Sequence, residues 1–308
     1  MVQLSVKRIL VLGSSGMLGH AITRVFNEDG FEVVEANRAG IPIISRNIII
    51  KFDVLRDSLE SIFDQDQTYD YCVNAIGIIR HLINESNEGS ILETIRVNRD
   101  LPAKLSILAA SSGLKVIQIA TDCVFSGNEG YYTESSLHSP TDFYGSSKSV
   151  GEENSPEIMH IRSSIIGHEL LSSNSLMDWF LKQPENAVVN GYTNHFWNGL
   201  TTLHFGRVIS GIINSNNFLK GTFHLIPKDI CSKYELLQLF ARHFGRPDLT
   251  VQAHTSLVSI NRTLDTVFSE KNLRFWKDAG YNCPLSIAEM LSEYADWESD
   301  KILASRQK

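Results

Sequence analysis

The chain has 308 residues, 43% of them hydrophobic and 20% charged, with a formal net charge of −7; that suffices for one large core or two smaller ones, and with no basic run it excludes a nucleic-acid backbone as partner. No apolar stretch is long enough to span a membrane, and the pair Lys7–Arg8 precedes only a short apolar run before Gly13, too short for a signal-peptide core, so a cytoplasmic protein is expected. Cys72, Cys123, Cys231 and Cys283 lie far apart without a C-x-x-C, which signals neither zinc nor a disulfide framework and predicts buried free thiols.

Ile9–Leu12 reads as a strand buried on both faces, Gly13 breaks it, and Ala21, Ile22, Val25 and Phe26 recur at helical spacing until Gly30 caps the helix. Strand, glycine turn and helix are the setting that a dinucleotide fingerprint requires. Here Gly13, Gly16 and Gly19 have the spacing G-x-x-G-x-x-G. Gly13 permits the tight turn, Gly16 a close approach of backbone to pyrophosphate, and Gly19 close packing of helix on strand; Ser15, Met17 and Leu18 complete the phosphate turn at a helix N-terminus. A glycine-rich αβ turn without a ligand carries the same letters.

Phe31–Ala36 is the second predicted strand. It is followed by Asn37–Arg38, with no carboxylate for a ribose 2′-hydroxyl, and Arg38 suits a 2′-phosphate. NADPH is therefore the expected cofactor, with NADH as the alternative; a solvated loop cation is the other reading of Arg38. Asn47–Phe52 is the third strand, with Asp53 and Val54 beside the adenine, and Asp57–Phe63 a short helix. Tyr69–Asn74 is the fourth strand, whose exit loop Asn74–Ala75–Ile76–Gly77 is small enough for a cofactor to cross. Ile91–Ala110 reads as a long helix broken near Leu101 by Pro102, and Lys115–Ala120 as the fifth strand, with Thr121–Asp122 just past its end. Ser126–Phe143 has few core positions and reads as a functional loop or lid. Tyr144 opens the next helix, and Ile158–Ile166 is a sixth strand carrying Arg162 and Ser163.

Beyond Gly167 the texture changes. Helices are expected at Ser175–Lys182, Thr201–Ile213, Leu236–Phe244 after a Ser232–Glu235 capping box, Thr266–Ala279 and Ser286–Trp297. Short strands are expected at Ala187–Val189 and Gly221–Ile226, with a polar–aromatic loop over Gly191–Leu200. The fold class is α/β: a doubly wound parallel sheet of Rossmann type with a smaller mixed C-terminal lobe. Residues 1–166 would bind dinucleotide, completed by elements from 200–226, and residues 167–308 would mainly bind substrate.

Tyr144 and Lys148 stand four apart on one helix face. An ammonium beside a phenol favours the phenolate, which predicts a lowered tyrosine pKa and proton exchange at a carbonyl oxygen, with Thr121 hydrogen-bonding the same oxygen. The motifs Gly13–Gly16–Gly19, Thr121–Asp122–Cys123–Val124–Phe125–Ser126–Gly127 and Tyr144–Gly145–Ser146–Ser147–Lys148 together resemble the dTDP-4-dehydrorhamnose reductase family, extended short-chain reductases of nucleotide-linked 4-keto-6-deoxy sugars. The resemblance is strongest from Lys7 to Gly167. It implies Thr121, Tyr144 and Lys148 as the catalytic triad, and Asn74, Ala75, Asn98, Lys148 and Arg162 near the cofactor. Asp122, Cys123, Val124 and Phe125 would lie beside the sugar, joined by Trp197 and Asn198, for which a packed aromatic cluster is an equal alternative reading. Cys123 stands where the family usually has tyrosine. Glu152–Glu153 reads as a solvated face rather than a metal site.

The function these readings imply is NADPH-dependent reduction of a nucleotide sugar for surface polysaccharide synthesis, with a homodimer left open. The alternatives are a non-catalytic cofactor-binding subunit of another enzyme, and a nucleotide-sugar epimerase or dehydratase.

Overall fold

The computed structural model describes residues 6–63, 68–170 and 173–306. The strands are β1 (Arg8–Leu12), β2 (Glu32–Asn37), β3 (Ile48–Lys51), β4 (Tyr71–Asn74), β5 (Lys115–Ala120), β6 (Met159–Arg162), β7 (Ile165–Ile166), β8 (Val188–Tyr192), β9 (His195–Trp197), β10 (Leu200–Thr201), β11 (Gly221–His224), β12 (Cys231–Ser232), β13 (Thr250–His254) and β14 (Ile260–Asn261). The α-helices are α1 (Met17–Glu28), α2 (Glu88–Ile95), α3 (Leu101–Ser112), α4 (Phe143–Glu153), α5 (Leu176–Leu181), α6 (Thr202–Asn214), α7 (Lys233–His243), α8 (Ser269–Asp278) and α9 (Ile287–Arg306).

Seven strands form one sheet in the order β11-β6-β5-β4-β1-β2-β3, and every pairing in it is parallel. This is the Rossmann arrangement, with its crevice where the order reverses between β1 and β4. Ile9, Val11, Ile22, Val25 and Phe26 pack with Leu203, Val208, Ile209 and Ile212 on one face. Leu10, Leu12, Val34, Cys72, Leu101 and Leu105 fill the other. Both faces of β1 are apolar because both are covered. The seventh strand comes from well beyond residue 166: Gly221 pairs with Met159 and His224 with Arg162.

Several boundaries differ from the sequence reading, each for a local reason. The strand expected over Ile158–Ile166 leaves the sheet at Ser163–Ser164, where the Ser164 carbonyl accepts from Leu200 N at 2.9 Å and β7 pairs with β10 instead. The expected break near Leu101 is a π-helical turn, Arg96–Asp100, between α2 and α3. Pro102 has no N–H to give a carbonyl one turn back. The helix expected over Asp57–Phe63 is a single 3-10 turn, Leu59–Ser61. The loop Gly191–Leu200 contains β9, which pairs with β12 and β14. The Ser126–Phe143 stretch carries a core residue, Tyr132, whose ring stacks on Phe125 at 4.4 Å and whose backbone bridges to Leu264, so it is pinned to the C-terminal half. Cys72 and Cys231 are buried as expected, whereas Cys283 is exposed.

Candidate active site

The glycine turn has three separate physical reasons for its glycines. Gly13 has φ +80°, a left-handed backbone, and a side chain there would meet Ile76 at 2.9 Å. At Gly19 a Cβ would run into the Gly13 carbonyl. At Gly16 a Cβ would meet nothing nearer than Gly13 O at 3.4 Å, an ordinary contact. No protein neighbour therefore excludes a side chain at Gly16, which is exposed; a ligand lying against the turn would. Gly16 is also the N-cap of α1 and no side chain caps that helix, so the first-turn N–H groups of Met17, Leu18 and Gly19 can serve an anion. Leu18 itself points into the core. These features fit a dinucleotide pyrophosphate.

The ends of β2 and β4 complete the crevice. Asn37 is buried: its amide donates to Ser14 Oγ and Ile41 O, each at 2.9 Å, and its Oδ1 accepts from Gly40 N at 2.9 Å. Glu35, on the same face of β2 as Asn37, is occupied by the following loop, accepting from Ile43 N at 2.8 Å and Ile44 N at 3.1 Å. Arg38 is exposed at the strand end, so a cation and no free carboxylate is presented there. Asp53 accepts from Leu55 N at 3.0 Å, and Val54 packs into the second core face. Asn74 is buried, donating to Gln118 Oε1 at 2.7 Å and accepting from Ile76 N at 3.1 Å; it shapes the Ala75–Gly77 loop from below. Asn98 accepts from Ile78 N at 3.0 Å and donates to Ile78 O at 2.8 Å and Ser147 Oγ at 3.0 Å. It therefore ties that loop to α4.

Thr121, at the end of β5, caps the short turn Asp122–Val124 by accepting from Cys123 N at 3.2 Å. Its hydroxyl also faces the Tyr144 phenol. Two glycines let α4 come close enough for this. A Cβ at Gly145 would overlap the Cys123 carbonyl and lie 2.9 Å from Pro140, and one at Gly151 would overlap the Asn98 carbonyl. Asp142 caps α4, accepting from Gly145 N at 2.8 Å. Lys148 is buried, and its Nζ faces Gly77, 3.1 Å from where a Cβ would stand. Thr121 and Tyr144 thus meet at the end of β5, and Lys148, one turn further along α4, stands beside Gly77. The expected lowering of the tyrosine pKa is not found. Burial raises it, and so does neighbouring Cys123, while the Thr121 hydroxyl lowers it. Lys148 itself is pushed down to about 8 by burial, with Glu152 acting in the opposite sense. Desolvation is the largest influence on both groups.

Other expected site residues lie elsewhere. Val124 and Phe125 are fully buried in a small cluster with Tyr132 and Leu264. Trp197 is buried, its indole N–H donating to Ser164 Oγ at 2.8 Å. Asn198 is also buried, with both ends of its amide on the Leu264 backbone at 2.7 and 2.9 Å. These four side chains hold the two halves of the chain together and do not line a cleft. The Arg162 guanidinium does not face the glycine turn. It pairs with Glu152, donates to His224 Nε2 at 2.7 Å and His138 Nε2 at 2.9 Å, and lies 5.0 Å from the Phe125 ring centroid. Glu152, expected on a solvated face, has a buried side chain; only Glu153 is exposed.

Asp122 and Cys123 remain between these layers. Burial raises the Asp122 carboxyl while Arg262 and Lys233 act against that, and burial pushes the Cys123 thiol up to about 12. Lys233, at the first turn of α7, faces Asp122, Cys231 and Cys123 and lies 5.7 Å from the Trp197 ring centroid. Nothing in the local sequence marks Lys233 or Arg262, because only the tertiary fold brings them to Asp122. Beside them a surface cleft is lined by residues that include Tyr131, Phe196, Cys231 and Asn261. Among the described residues no group of His, Cys, Asp and Glu could hold a metal ion, and no helix is long and apolar enough to cross a membrane.

Residues 7–263 match the RmlD substrate binding domain. The methionine adenosyltransferase 2 subunit beta of Danio rerio is 23% identical over 78% of this chain and 75% of its own length. The solved dTDP-4-dehydrorhamnose reductase of Clostridium acetobutylicum superposes with a TM-score of 0.72 at 21% identity, covering 95% of this chain and 99% of that one. The Bacillus anthracis dTDP-4-dehydrorhamnose reductase, solved in complex with NADP, gives 0.73 at 16% identity over 94% and 98%.

Proposed function

We propose, from the premise that the chain belongs to the RmlD substrate binding domain family, that it reduces a nucleotide-linked 4-keto-6-deoxy sugar with NADPH. The observation that carries this reading is the meeting of Thr121 and Tyr144 at the end of β5, with Lys148 one turn further along α4, next to a helix N-terminus with no side-chain cap. The α1 turn would hold the pyrophosphate, the Ala75–Gly77 loop and Lys148 the nicotinamide end, and Arg38 the 2′-phosphate. A bound reduced nicotinamide supplies hydride to the keto carbon. Tyr144 donates its proton to the carbonyl oxygen. Its raised pKa keeps the phenol protonated and ready to act as the acid at neutral pH. Thr121 orients both the phenol and the oxygen. Lys148, charged below about pH 8, stabilises the phenolate left behind. Asp122, Cys123 and Lys233 would face the sugar, and residues 167–308 would supply much of that wall.

The test is NADPH oxidation, followed by absorbance, against dTDP-, UDP- and GDP-linked 4-keto-6-deoxy sugars, with Tyr144→Phe alongside. The reading expects turnover with one class of sugar and its loss in the variant. A second reading, a cofactor-binding subunit of another enzyme, is favoured by the methionine adenosyltransferase subunits among the relatives. A stoichiometric enzyme partner in pull-downs, with no turnover on the panel, would select it.

A further inference from the structure

Behind the catalytic face of α4 lies a buried polar layer with no part in the mechanism above. Arg162, 2% exposed, is ion-paired with Glu152, whose side chain is 6% exposed. An arginine only donates, so the two histidines it touches must accept through Nε2. His224 Nδ1–H then donates to Asp265 O at 2.6 Å, and His138 Nδ1–H to Ser149 Oγ at 2.7 Å. His160 has the opposite tautomer. Its Nε2 lies 3.0 Å from the Ser155 carbonyl, which can only accept, so the proton is on Nε2 and Nδ1 is a bare acceptor.

The pairing of Glu152 uses one carboxylate oxygen. Among the described residues no protein group hydrogen-bonds Glu152 Oε1 or His160 Nδ1, and both are buried. Glu152, His160 and Lys148 line one small cavity, together with Asn98 and Gln118. Glu152 stands one helical turn beyond Lys148 on α4. Two buried acceptors and one buried ammonium around one cavity make the donor and acceptor set of a single bound water, which would donate twice and accept once.

We propose that Glu152, held by Arg162, is a positioning residue for Lys148, reaching its ammonium across a water bound between Lys148, Glu152 Oε1 and His160 Nδ1. The assignment rests on the reading of Lys148 as a cofactor-site residue. The other charged or titratable groups around Lys148 are Tyr144 on its own helix and His160 and Arg162 on β6; β5 and the Asn98 turn contribute only neutral side chains to the cavity. His138 and His224, on the far side of Arg162, are neutral by the tautomers above.

The experiment is a lysine 13Cε NMR titration of the full chain without cofactor or substrate, with the Lys148 signal assigned through Lys148→Arg. Because it needs no turnover, it stands or falls separately from the proposed reaction. Glu152→Gln should move the Lys148 titration down by about one unit or more, and Glu153→Gln, on the exposed neighbour, should leave it in place. If Glu152→Gln fails to fold, Glu152→Gln with Arg162→Gln removes the ion pair as a neutral unit and should give a smaller downward shift, because the Arg162 cation that opposes the Lys148 charge is lost with it. An unchanged Lys148 titration in whichever of these variants folds would overturn the proposal. A high-resolution crystal structure should place a water within hydrogen-bond reach of all three atoms, and a dry cavity would refute the bridge.

Discussion

Gly145→Ala tests how the groups proposed to be catalytic are brought together. The new methyl would overlap the Cys123 carbonyl oxygen, 3.1 Å from its carbon and 2.9 Å from Pro140 Cβ. The obstacle is backbone, so α4 must withdraw from the end of β5 by roughly 1 Å to restore normal contact. Overpacking of this kind costs about 1–3 kcal/mol, a fall in Tm of roughly 1.5–5 °C for a chain of this size. The same displacement separates Tyr144 from Thr121, and misplacement by about 1 Å lowers turnover on the order of 100-fold. Differential scanning calorimetry reads the first effect and NADPH oxidation the second. Gly30→Ala is the control. It forces a left-handed residue, with φ +81°, but nothing lies within 4 Å of its Cβ, so it should cost about 1–2 kcal/mol and leave turnover alone. A Gly145→Ala protein with the parental Tm and parental turnover would show that α4 does not depend on contact with Cys123.

Arg162→Gln alone should destabilise by about 3–5 kcal/mol, because it leaves the buried Glu152 carboxylate without its cation, and the double variant with Glu152→Gln should recover part of that in urea titrations. Arg38→Ala should lower the preference for NADPH over NADH by about tenfold, read from the two dissociation constants; the charge-assisted hydrogen bond at stake is worth about 1.5–3 kcal/mol, and an unchanged ratio would make Arg38 a solvated loop cation. Glu293 is held down at about 2 by its hydrogen bonds to His204 and Tyr281 and by Arg207. A carboxyl depressed in the folded state stabilises above its unfolded value and loses that contribution as pH falls, here from about 4.5 towards 2. Glu293→Gln should therefore flatten that part of the Tm–pH curve, and identical curves for the two proteins would refute the assignment.

The Rossmann half is legible because its signals are local. Ile9–Leu12, Gly13 and the spacing after Gly19 specify strand, turn and helix within a short window, and Lys115–Ala120 matches β5 residue for residue. Thr121, Tyr144 and Lys148 can be read because one strand end and one helix face carry all three. What the sequence hides is the direction of side chains once the halves meet. Phe125 and Trp197 have the composition of a sugar platform, yet both are buried in packing. Arg162 lies on the expected strand, but β11 brings His224 alongside and turns the guanidinium inward. Glu152 and Glu153 are neighbours of the same type, and only the helix phase, fixed by Gly151 against Asn98, decides that one is buried and the other solvated. The short strands β12, β13 and β14 carry no periodic signal of their own and exist because β8 and β9 offer them edges.

The most direct test of the central claim is single-turnover absorbance of NADPH mixed with the protein and each 4-keto-6-deoxy nucleotide sugar. The account predicts oxidation with one nucleotide class and its loss in Tyr144→Phe, while NADPH still binds. Tight NADPH binding with no oxidation across the whole panel, or a Tyr144→Phe protein that turns over at the parental rate, would contradict it.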